Sequence, residues 1–482
     1  MKAYKKITAG LCAAMLCLGM AGCGSSSSDD KKSDTTSKAN EITMKEEDKQ
    51  QLEETSSKLE EKELENKTIK FFSHWDMNPG DGQVVPPGIQ MFRDKYDGKI
   101  EWVQTTWDNR YDDLAALVMA NDSPDYFSAG DMDGFPKGAI KGMFQPIDDY
   151  IDVNSDLWAP AKNVLDGFLF DGGHYVAATG AYPHYVCVYN TTTISENGYE
   201  DPAELFHNDE WTWSKFTEMV EDFTDPENDV YGLDGWWYPY ALSNSCGKPF
   251  IGLDNGKLVS NLDDPNLAKA QNMLEELRKH KVGFDRASNG GSTRGDGTTG
   301  NGLGTYQTLF IPVGLWGIEN SPENVTAFGD VEAGEIMFVP MPRMDDSDTY
   351  YVTCRPDGFF LVKNAPNPEG FAALMNCQML AASDAKEITV KQLKDDYKWN
   401  DDMIAMRQEI LDLANAHPIF DFSEAVSAEL QNVMVQQVMN ATSFGEDPWS
   451  TVVESNKDQV DFYLDEANQK IDVDAEKAKD AE

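Results

Sequence analysis

The sequence predicts an α/β protein in which parallel-type sheets are flanked by helices. Short apolar segments that alternate like strands are separated by segments in which apolar side chains recur at helical spacing. From about residue 68 the order is strand, helix, strand, helix, strand, which is typical of a parallel sheet with helices on its faces. Ligands of such sheets bind at the carboxyl ends of the strands.

The first five elements define that sheet. The predicted strands cover 69–73, 100–104 and 124–128. The predicted helices between them cover 86–97 and 111–118, and the first of them opens on two prolines. His74 and Trp75 follow the first strand and Asp131 follows the third, so the topology places all three residues on the ligand side.

The remaining elements continue the alternation and end in helices. Further strands are predicted at 185–189, 336–339 and 358–362, and further helices begin at Trp213, Pro265 and Pro368. The segment 288–304 is rich in Gly, Ser and Thr and is predicted to be a loop. The last hundred residues carry apolar stripes at helical spacing and predict a helical C-terminal region.

Composition and charge exclude several functions. The chain has 482 residues, enough for two or three domains, and 84 acidic against 40 basic residues give a formal net charge of -44. Such a chain repels phosphate backbones and anionic lipids, so we expect no nucleic-acid partner and no electrostatic docking to membranes. The six histidines lack the spacing of metal ligands, and two acidic segments that could take calcium match no EF-hand loop. We therefore expect neither a metal nor a cofactor.

The N-terminus has the three parts of a secretory signal. Three lysines precede a short apolar stretch, and Ala21 and Gly22 lead to Cys23. This ending resembles the signal of a bacterial lipoprotein, and the resemblance implies that 1–22 is removed and that Cys23 carries a lipid. An ordinary signal with a chance cysteine is the alternative. No later segment is apolar enough to span a bilayer, so we expect membrane attachment through the N-terminal lipid only.

Residues 23–67 predict a lipidated Cys followed by a disordered polar tether. Large apolar side chains are rare in this segment, and Leu52, Leu59 and Leu64 make only a thin stripe. Four cysteines remain in the folded part, namely Cys187, Cys246, Cys354 and Cys377. A disulfide is permitted outside the cell, but their wide spacing does not require one.

Four groups of short motifs resemble the extracellular solute-binding proteins of bacterial ABC importers, in the group that mostly takes sugars. They are Phe71–Trp75 with Trp107–Tyr111 and Phe144–Tyr150, Tyr185–Asn190 with Glu210–Trp213, Gly314–Trp316 with Met337–Pro342, and Gly358–Val362 with Asn367–Glu369. Together these motifs cover most of residues 68–380. The resemblance implies a type II, two-lobed periplasmic-binding-protein-like fold with a ligand cleft between the lobes, and a protein that is not an enzyme.

The lobes are assigned from three expected crossings of the chain, near Ala181–Tyr185, Gly300–Gly304 and Arg355–Gly358. These crossings give an N-terminal lobe of 68–183 plus 305–355. The C-terminal lobe is then 184–304 plus 356–482, including the helical tail. Family members often have a glycine-rich stretch before the fourth motif group, whereas this chain has Cys354-Arg355-Pro356-Asp357, a departure that bears on the cleft floor or the hinge.

A sugar site needs flat aromatic rings for the apolar faces of the ligand and planar polar groups for its hydroxyls. The predicted aromatic platforms are Trp75, Trp236, Trp237 and Trp316, each weighed against a place in the core. Trp102, Trp211 and Trp213 are predicted to be core residues, and Trp399 is predicted to be exposed in a polar loop. The predicted polar partners are Asp131 first, and then Asp108, Arg355, Asp357 and His74, each weighed against an ordinary surface charge or a structural role.

These observations predict a lipid-anchored receptor that captures an oligosaccharide and delivers it to the permease of an ABC importer. We expect a monomer, held on the outer face of the cytoplasmic membrane. A lipid-anchored glycan-degrading enzyme and a surface adhesin are the alternatives. The enzyme stays open because an acidic chain has enough carboxylates for glycoside hydrolysis.

Overall fold

The structure is a computed structural model that describes residues 41–80, 83–170, 172–235, 237–254, 257–284 and 302–479. The predicted signal, Cys23 and Trp236 lie outside these residues. The described part is an α/β fold with two main sheets, each at the centre of one lobe, as the sequence predicts. Among the helices described, none is both long and apolar enough to cross a membrane.

The strands are β1 (Thr68–Ser73), β2 (Lys99–Gln104), β3 (Tyr126–Ser128), β4 (Leu169–Phe170), β5 (Gly173–His174), β6 (Val176–Pro183), β7 (Val186–Asn190), β8 (Tyr231–Leu233), β9 (Ile251–Asp254), β10 (Lys257–Ser260), β11 (Thr308–Val313), β12 (Ile336–Val339), β13 (Val352–Leu361) and β14 (Pro418–Ile419).

The helices are α1 (Glu46–Ser56), α2 (Pro87–Tyr96), α3 (Arg110–Met119), α4 (Lys137–Ile140), α5 (Lys162–Asp166), α6 (Thr191–Glu196), α7 (Pro202–His207), α8 (Trp213–Phe223), α9 (Tyr238–Asn244), α10 (Pro265–Lys279), α11 (Pro368–Asp384), α12 (Lys386–Asp395), α13 (Asp401–Ala416), α14 (Ala428–Val433), α15 (Ala441–Phe444) and α16 (Trp449–Lys479).

The first lobe is built on the sheet β14-β13-β3-β1-β2, with β6 paired to β13. Strand β1 runs parallel to both β2 and β3. Strand β13 runs antiparallel to β3 and to β6. The parallel part forms as predicted, because buried apolar strands alternate there with amphipathic helices.

The second lobe is built on the sheet β12-β7-β11-β8. Strand β7 lies between β12 and β11 and is antiparallel to both, while β11 runs parallel to β8. All residues of β7, β11 and β12 are buried, which agrees with their continuous apolar sequences.

The predicted assignment of segments to the lobes is wrong for residues 308–339 and 356–384. Strands β11 and β12 pair with β7 in the second sheet, so residues 308–339 do not belong to the first lobe. Strand β13 pairs with β3 and β6 in the first sheet, and α11 packs on α2. The predicted crossing near Gly300–Gly304 is also wrong, since Leu303 is buried in the core of the second lobe. One false crossing therefore exchanges the lobes of 308–339 and 356–384.

The predicted tether is wrong for its second half. Residues 46–56 form α1, which packs against α2 and α11. Leu52, Leu59 and Leu64 are buried in one apolar cluster with residues of α2 and α11. Three leucines are therefore enough to hold this segment on the first lobe once these helices cover them. Ion pairs add to this docking, among them Lys391 Nζ to Asp48 Oδ1 at 2.6 Å and Arg93 Nη1 to Glu41 Oε1 at 3.1 Å. A disordered tether therefore remains a prediction for 23–40 only.

Strands β6 and β13 connect the lobes as an antiparallel pair. Beyond Pro183 the chain enters β7 of the second sheet, and β13 returns from the second lobe into the first sheet. A register shift between Pro356 and Gly358 interrupts the pairing at this point. The predicted crossings near Ala181–Tyr185 and Arg355–Gly358 therefore lie where the chain does change sheets.

The helical C-terminal region joins both lobes. The amide of Lys137 in the first lobe donates to the carbonyl of Ala425 at 3.0 Å, and the amide of Phe422 donates to the carbonyl of Ile251 at 2.9 Å. The tail is therefore not an appendage of one lobe. The four cysteines of the folded part are buried and unpaired.

Candidate ligand-binding cleft

The carboxyl ends of β1, β2 and β3 lie at one edge of the first sheet because these strands are parallel. His74 follows β1, Trp107 follows β2, and Asp131 and Asp133 follow β3. The His74 and Trp107 rings meet edge to face with centroids 4.9 Å apart. We call His74, Arg110, Asp131 and Asp133 the charged edge.

Arg110 organises the charged edge from the first turn of α3. Its buried guanidinium pairs with Asp133 and lies 3.6 Å from the centre of the Trp107 ring. The Tyr111 hydroxyl donates to the other Asp133 oxygen, Oδ1, at 2.5 Å. Asp133 is thereby satisfied twice, which a buried carboxylate requires.

Asp131 is less well satisfied. Its Oδ2 is buried without a hydrogen-bond partner and lies 3.9 Å from Arg110 Nε, which also lacks a partner. Burial raises the pKa of Asp131 to about 6, and the Asp133 carboxylate adds to the rise, whereas Arg110 and Arg355 oppose it. Burial and then the Arg110 charge lower the pKa of His74 to about 4. At neutral pH the edge therefore presents a neutral imidazole and a carboxylate that is costly to keep ionised.

The second lobe contributes an aromatic surface at its side of the crossing strands. Trp316 follows β11, and its ring lies 6.3 Å from that of Trp237 at an interplanar angle of 81°. Trp237 lies 6.5 Å from Tyr185, and Tyr185 lies 5.6 Å from Tyr240. Trp316 stays exposed and Trp237 is half-buried, so their rings remain accessible. We call Tyr185, Trp237, Tyr240 and Trp316 the aromatic surface.

The crossing strands join the charged edge to the aromatic surface. Arg355 on β13 pairs with Tyr182 on β6, and its guanidinium lies 5.0 Å from the centre of the Tyr182 ring. A Cβ on Gly130 would lie 3.6 Å from the Arg355 guanidinium, so Arg355 stands beside the end of β3. On the other side, the His184 ring lies 4.4 Å from Tyr185. Burial, and then Arg355, lower the pKa of His184 to about 3.

The predicted site residues divide into two groups. His74, Asp131, Arg355, Trp237 and Trp316 lie on these connected surfaces. Trp75 is exposed after β1 and packs edge-on against Phe71 at 5.0 Å. Asp357 accepts a hydrogen bond from Thr179 at 3.2 Å on the crossing strands. Asp108 is exposed in the turn before α3.

Sequence reasoning missed the residues that hold the charged edge together. Arg110, Asp133 and Tyr111 stand in motifs with ordinary polar composition, and only the fold shows that Arg110 is buried. Of the three tryptophans predicted to be core residues, Trp211 and Trp213 are buried and Trp102 is half-buried. The prediction for Trp399 is wrong: its ring is buried and its Nε1 donates to the carbonyl of Ile318 at 3.2 Å.

The arrangement can hold an uncharged polar molecule that has flat apolar faces. Exposed rings can stack on such faces, while imidazole, guanidinium and carboxylate groups can exchange hydrogen bonds with hydroxyls. Within the described ranges, no group of three or more His, Cys, Asp or Glu side chains is placed to hold a metal ion. Two α/β lobes, joined by a strand pair that carries polar and aromatic side chains, define the class of two-lobed binding proteins.

The chain belongs to the family of bacterial extracellular solute-binding proteins. The family profile matches residues 81–384, which is more than half of the sequence. No curated protein matches the sequence closely enough to count as a relative.

Solved structures agree with this fold at low sequence identity. An ABC substrate-binding protein from Listeria monocytogenes, in complex with cycloalternan, is 17% identical with a TM-score of 0.59 over 82% of this chain and 98% of that one. An ABC transporter associated binding protein from B. animalis subsp. lactis, in complex with β-1,6-galactobiose, is 16% identical with a TM-score of 0.59 over 83% and 98% of the two chains. The GacH receptor of Streptomyces glaucescens, solved unliganded and with acarbose, is 13% identical with a TM-score of 0.56 over 83% and 98%.

Proposed function

We propose that this protein is a receptor that captures an oligosaccharide between its lobes and delivers it to an ABC importer. The observation that carries the proposal is the aromatic surface of the second lobe, which the crossing strands connect to the charged edge of the first. A sugar offers apolar C–H faces to rings such as Trp316 and Trp237, and hydroxyls to Asp131, His74 and Arg355. The sugar ligands of the three structural neighbours support this ligand class.

The proposal includes a lipid anchor on Cys23, with 1–22 as the removed signal. The tether would then be 23–40 rather than 23–67, because the docked helix α1 begins soon after. We further propose that the receptor works as a monomer on the outer face of the cytoplasmic membrane, where it docks on a permease.

We also propose that the protein has no catalytic activity of its own. A glycosidase needs two carboxylates that face each other across the substrate, one of them free to donate a proton. Here Asp131 and Asp133 stand on the same edge and share Arg110. Incubation with a labelled oligosaccharide separates the two functions, because a receptor returns its ligand unchanged.

Thermal unfolding of the full chain against a panel of mono- and oligosaccharides tests the ligand class. A ligand at 100 times its dissociation constant stabilises the folded state by about 2.7 kcal/mol and so raises the melting temperature. We expect one or more oligosaccharides to do so. We expect Trp316→Ala and Trp237→Ala to weaken binding of that sugar roughly tenfold or more in isothermal titration.

Phe462→Ala is the matched control, since Phe462 is an exposed ring on α16. It should leave sugar affinity unchanged. If peptides or metal ions raise the melting temperature and no sugar does, the ligand class is wrong. If a sugar binds equally well to the tryptophan variants, the aromatic surface is not its site. That result would favour an adhesin that binds its ligand elsewhere.

A further inference from the structure

Glu319 of the second lobe makes a direct hydrogen bond to the crossing strand β6. It follows β11 in the second lobe, and its Oε2 accepts a hydrogen bond from the Tyr182 hydroxyl at 2.7 Å. Tyr182 lies on β6 and is paired to β13 in the first sheet. Movement of the second lobe about the crossing strands must therefore keep, stretch or break this hydrogen bond.

The other oxygen of Glu319 fixes it to the second lobe. Arg407 Nε donates to Glu319 Oε1 at 2.6 Å from helix α13. Met403, Met406 and Ile410 of the same helix are buried in the core of the second lobe. The carboxylate is therefore a rigid part of that lobe when it receives the Tyr182 hydroxyl.

The crossing-strand side of the contact is fixed in a similar way. The Arg355 guanidinium lies over the Tyr182 ring, and the two residues are direct partners in the β6–β13 pair. Burial, and then the Glu319 carboxylate, raise the pKa of Tyr182 well above its usual 10, so the phenol remains a donor at any physiological pH. We call Tyr182, Glu319, Arg355 and Arg407 the Glu319 brace.

The Glu319 brace brings together three segments at the junction of the lobes. Tyr182 belongs to β6, Arg355 to β13, and Arg407 to α13, the helix that follows α12 in the chain. Glu319 and Arg407 side chains are each 18% exposed, so water screens their interaction only in part. A hydrogen bond to a carboxylate in such a place is stronger than one between neutral groups.

We propose that the Glu319 brace sets the angle between the lobes and thereby the affinity of the cleft, with Glu319 as a positioning residue that acts through Tyr182. A ligand that contacts both lobes binds only the arrangement that brings them together, so its apparent dissociation constant depends on how populated that arrangement is. The effect on the angle stands without a ligand, whereas the effect on affinity rests on the proposed function.

Distances between spin labels on the two lobes test the brace in the ligand-free full chain. Noncanonical amino acids carry the labels at Met119 in the first lobe and at Glu218 on α8 in the second, both exposed, so the native cysteines stay unmodified. Pulsed electron resonance then gives the distance distribution. We expect Tyr182→Phe and Glu319→Gln to shift the populations of lobe arrangements roughly tenfold, seen as a broadened distribution with a displaced mean.

Tyr199→Phe is the matched control, because the Tyr199 hydroxyl donates to Asp222 at 2.8 Å on the outer surface of the second lobe. It removes the same kind of hydrogen bond away from the crossing strands and should leave the distances unchanged. Tyr182→Phe keeps the ring under Arg355, so it preserves the fold even where Glu319→Gln lowers the melting temperature.

Distributions of Tyr182→Phe and Glu319→Gln that match those of the wild type and of Tyr199→Phe would overturn the proposal. For a sugar found to bind, we expect the dissociation constant of Tyr182→Phe to change by the same factor as the populations, and an unchanged constant despite shifted distances would overturn the affinity part. Failure of every sugar to bind would refute the proposed function, whereas the distances in the ligand-free chain would still test the Glu319 brace.

Discussion

Replacing Asp131 with Asn removes a carboxylate whose ionisation destabilises the folded protein. In the unfolded chain this group has its ordinary pKa of 3.8, and in the folded protein its pKa is about 6. The folded state therefore holds the proton more tightly, so the stability from this group is complete below about pH 4 and is lost as the pH rises to about 6. That rise in pKa corresponds to about 3 kcal/mol of unfolding free energy at pH 7.5.

The physical cause is the position of Asp131 at the end of β3. Its side chain is 16% exposed, Asp133 lies beside it, and Arg110 Nε is too distant, at 3.9 Å, for a full hydrogen bond. Asn has nearly the same shape and cannot ionise. We therefore expect Asp131→Asn to be more stable than the wild type at pH 7.5 by up to about 3 kcal/mol, and nearly equal to it at pH 4.

Urea denaturation of both proteins at the two pH values measures this difference. Asp122→Asn, an exposed carboxylate in the loop before β3, is the control and should change stability little at either pH. A variant Asp131→Asn that is no more stable at pH 7.5, or that gains equally at pH 4, would show that burial does not strain this carboxylate. The same variant should bind the oligosaccharide less well, since a binding site retains costly groups for its ligand.

Two further predictions concern the parts of the fold that hold the first lobe together. Leu52→Ala should lower the unfolding free energy by about 2–4 kcal/mol and expose 44–66 to protease, because Leu52 of α1 is buried against the first lobe. Unchanged protection of this segment from protease would contradict the docking of α1. Asp125→Ala should lower the unfolding free energy by about 2–4 kcal/mol in urea denaturation. The amides of Lys70 and Asn367 donate to this carboxylate at 2.7 and 2.6 Å and would lose their buried partner. A decrease below about 1 kcal/mol would mean that water replaces the carboxylate.

Local sequence patterns predicted the elements well because each element is amphipathic or fully apolar by itself. Strand β12 begins and ends where the pattern places it, and helix α8 begins at the predicted Trp213. Thr212 also caps α8, with its hydroxyl accepting from the Lys215 amide at 3.4 Å. The capping residue Asn367 does more than the pattern shows, since its amide also donates to two carbonyls before and within β1.

Local patterns could not assign strands to sheets. Strand β11 is apolar along its whole length and would fit either sheet, so its place beside β7 depends on partners far along the chain. The glycine-rich stretch before it predicted a crossing and thereby placed 308–339 in the wrong lobe. In the same way, Arg110 is an ordinary polar residue at a helix start until β1, β2 and β3 bring Trp107, Asp131 and Asp133 around it.

A crystal structure of the protein with the oligosaccharide that most raises its melting temperature tests the central claim directly. We predict a sugar ring against Trp316 or Trp237 of the second lobe, and hydroxyls within hydrogen-bond distance of Asp131, His74 or Arg355 in the first. A sugar that contacts one lobe only, or that lies away from both surfaces, would contradict capture between the lobes.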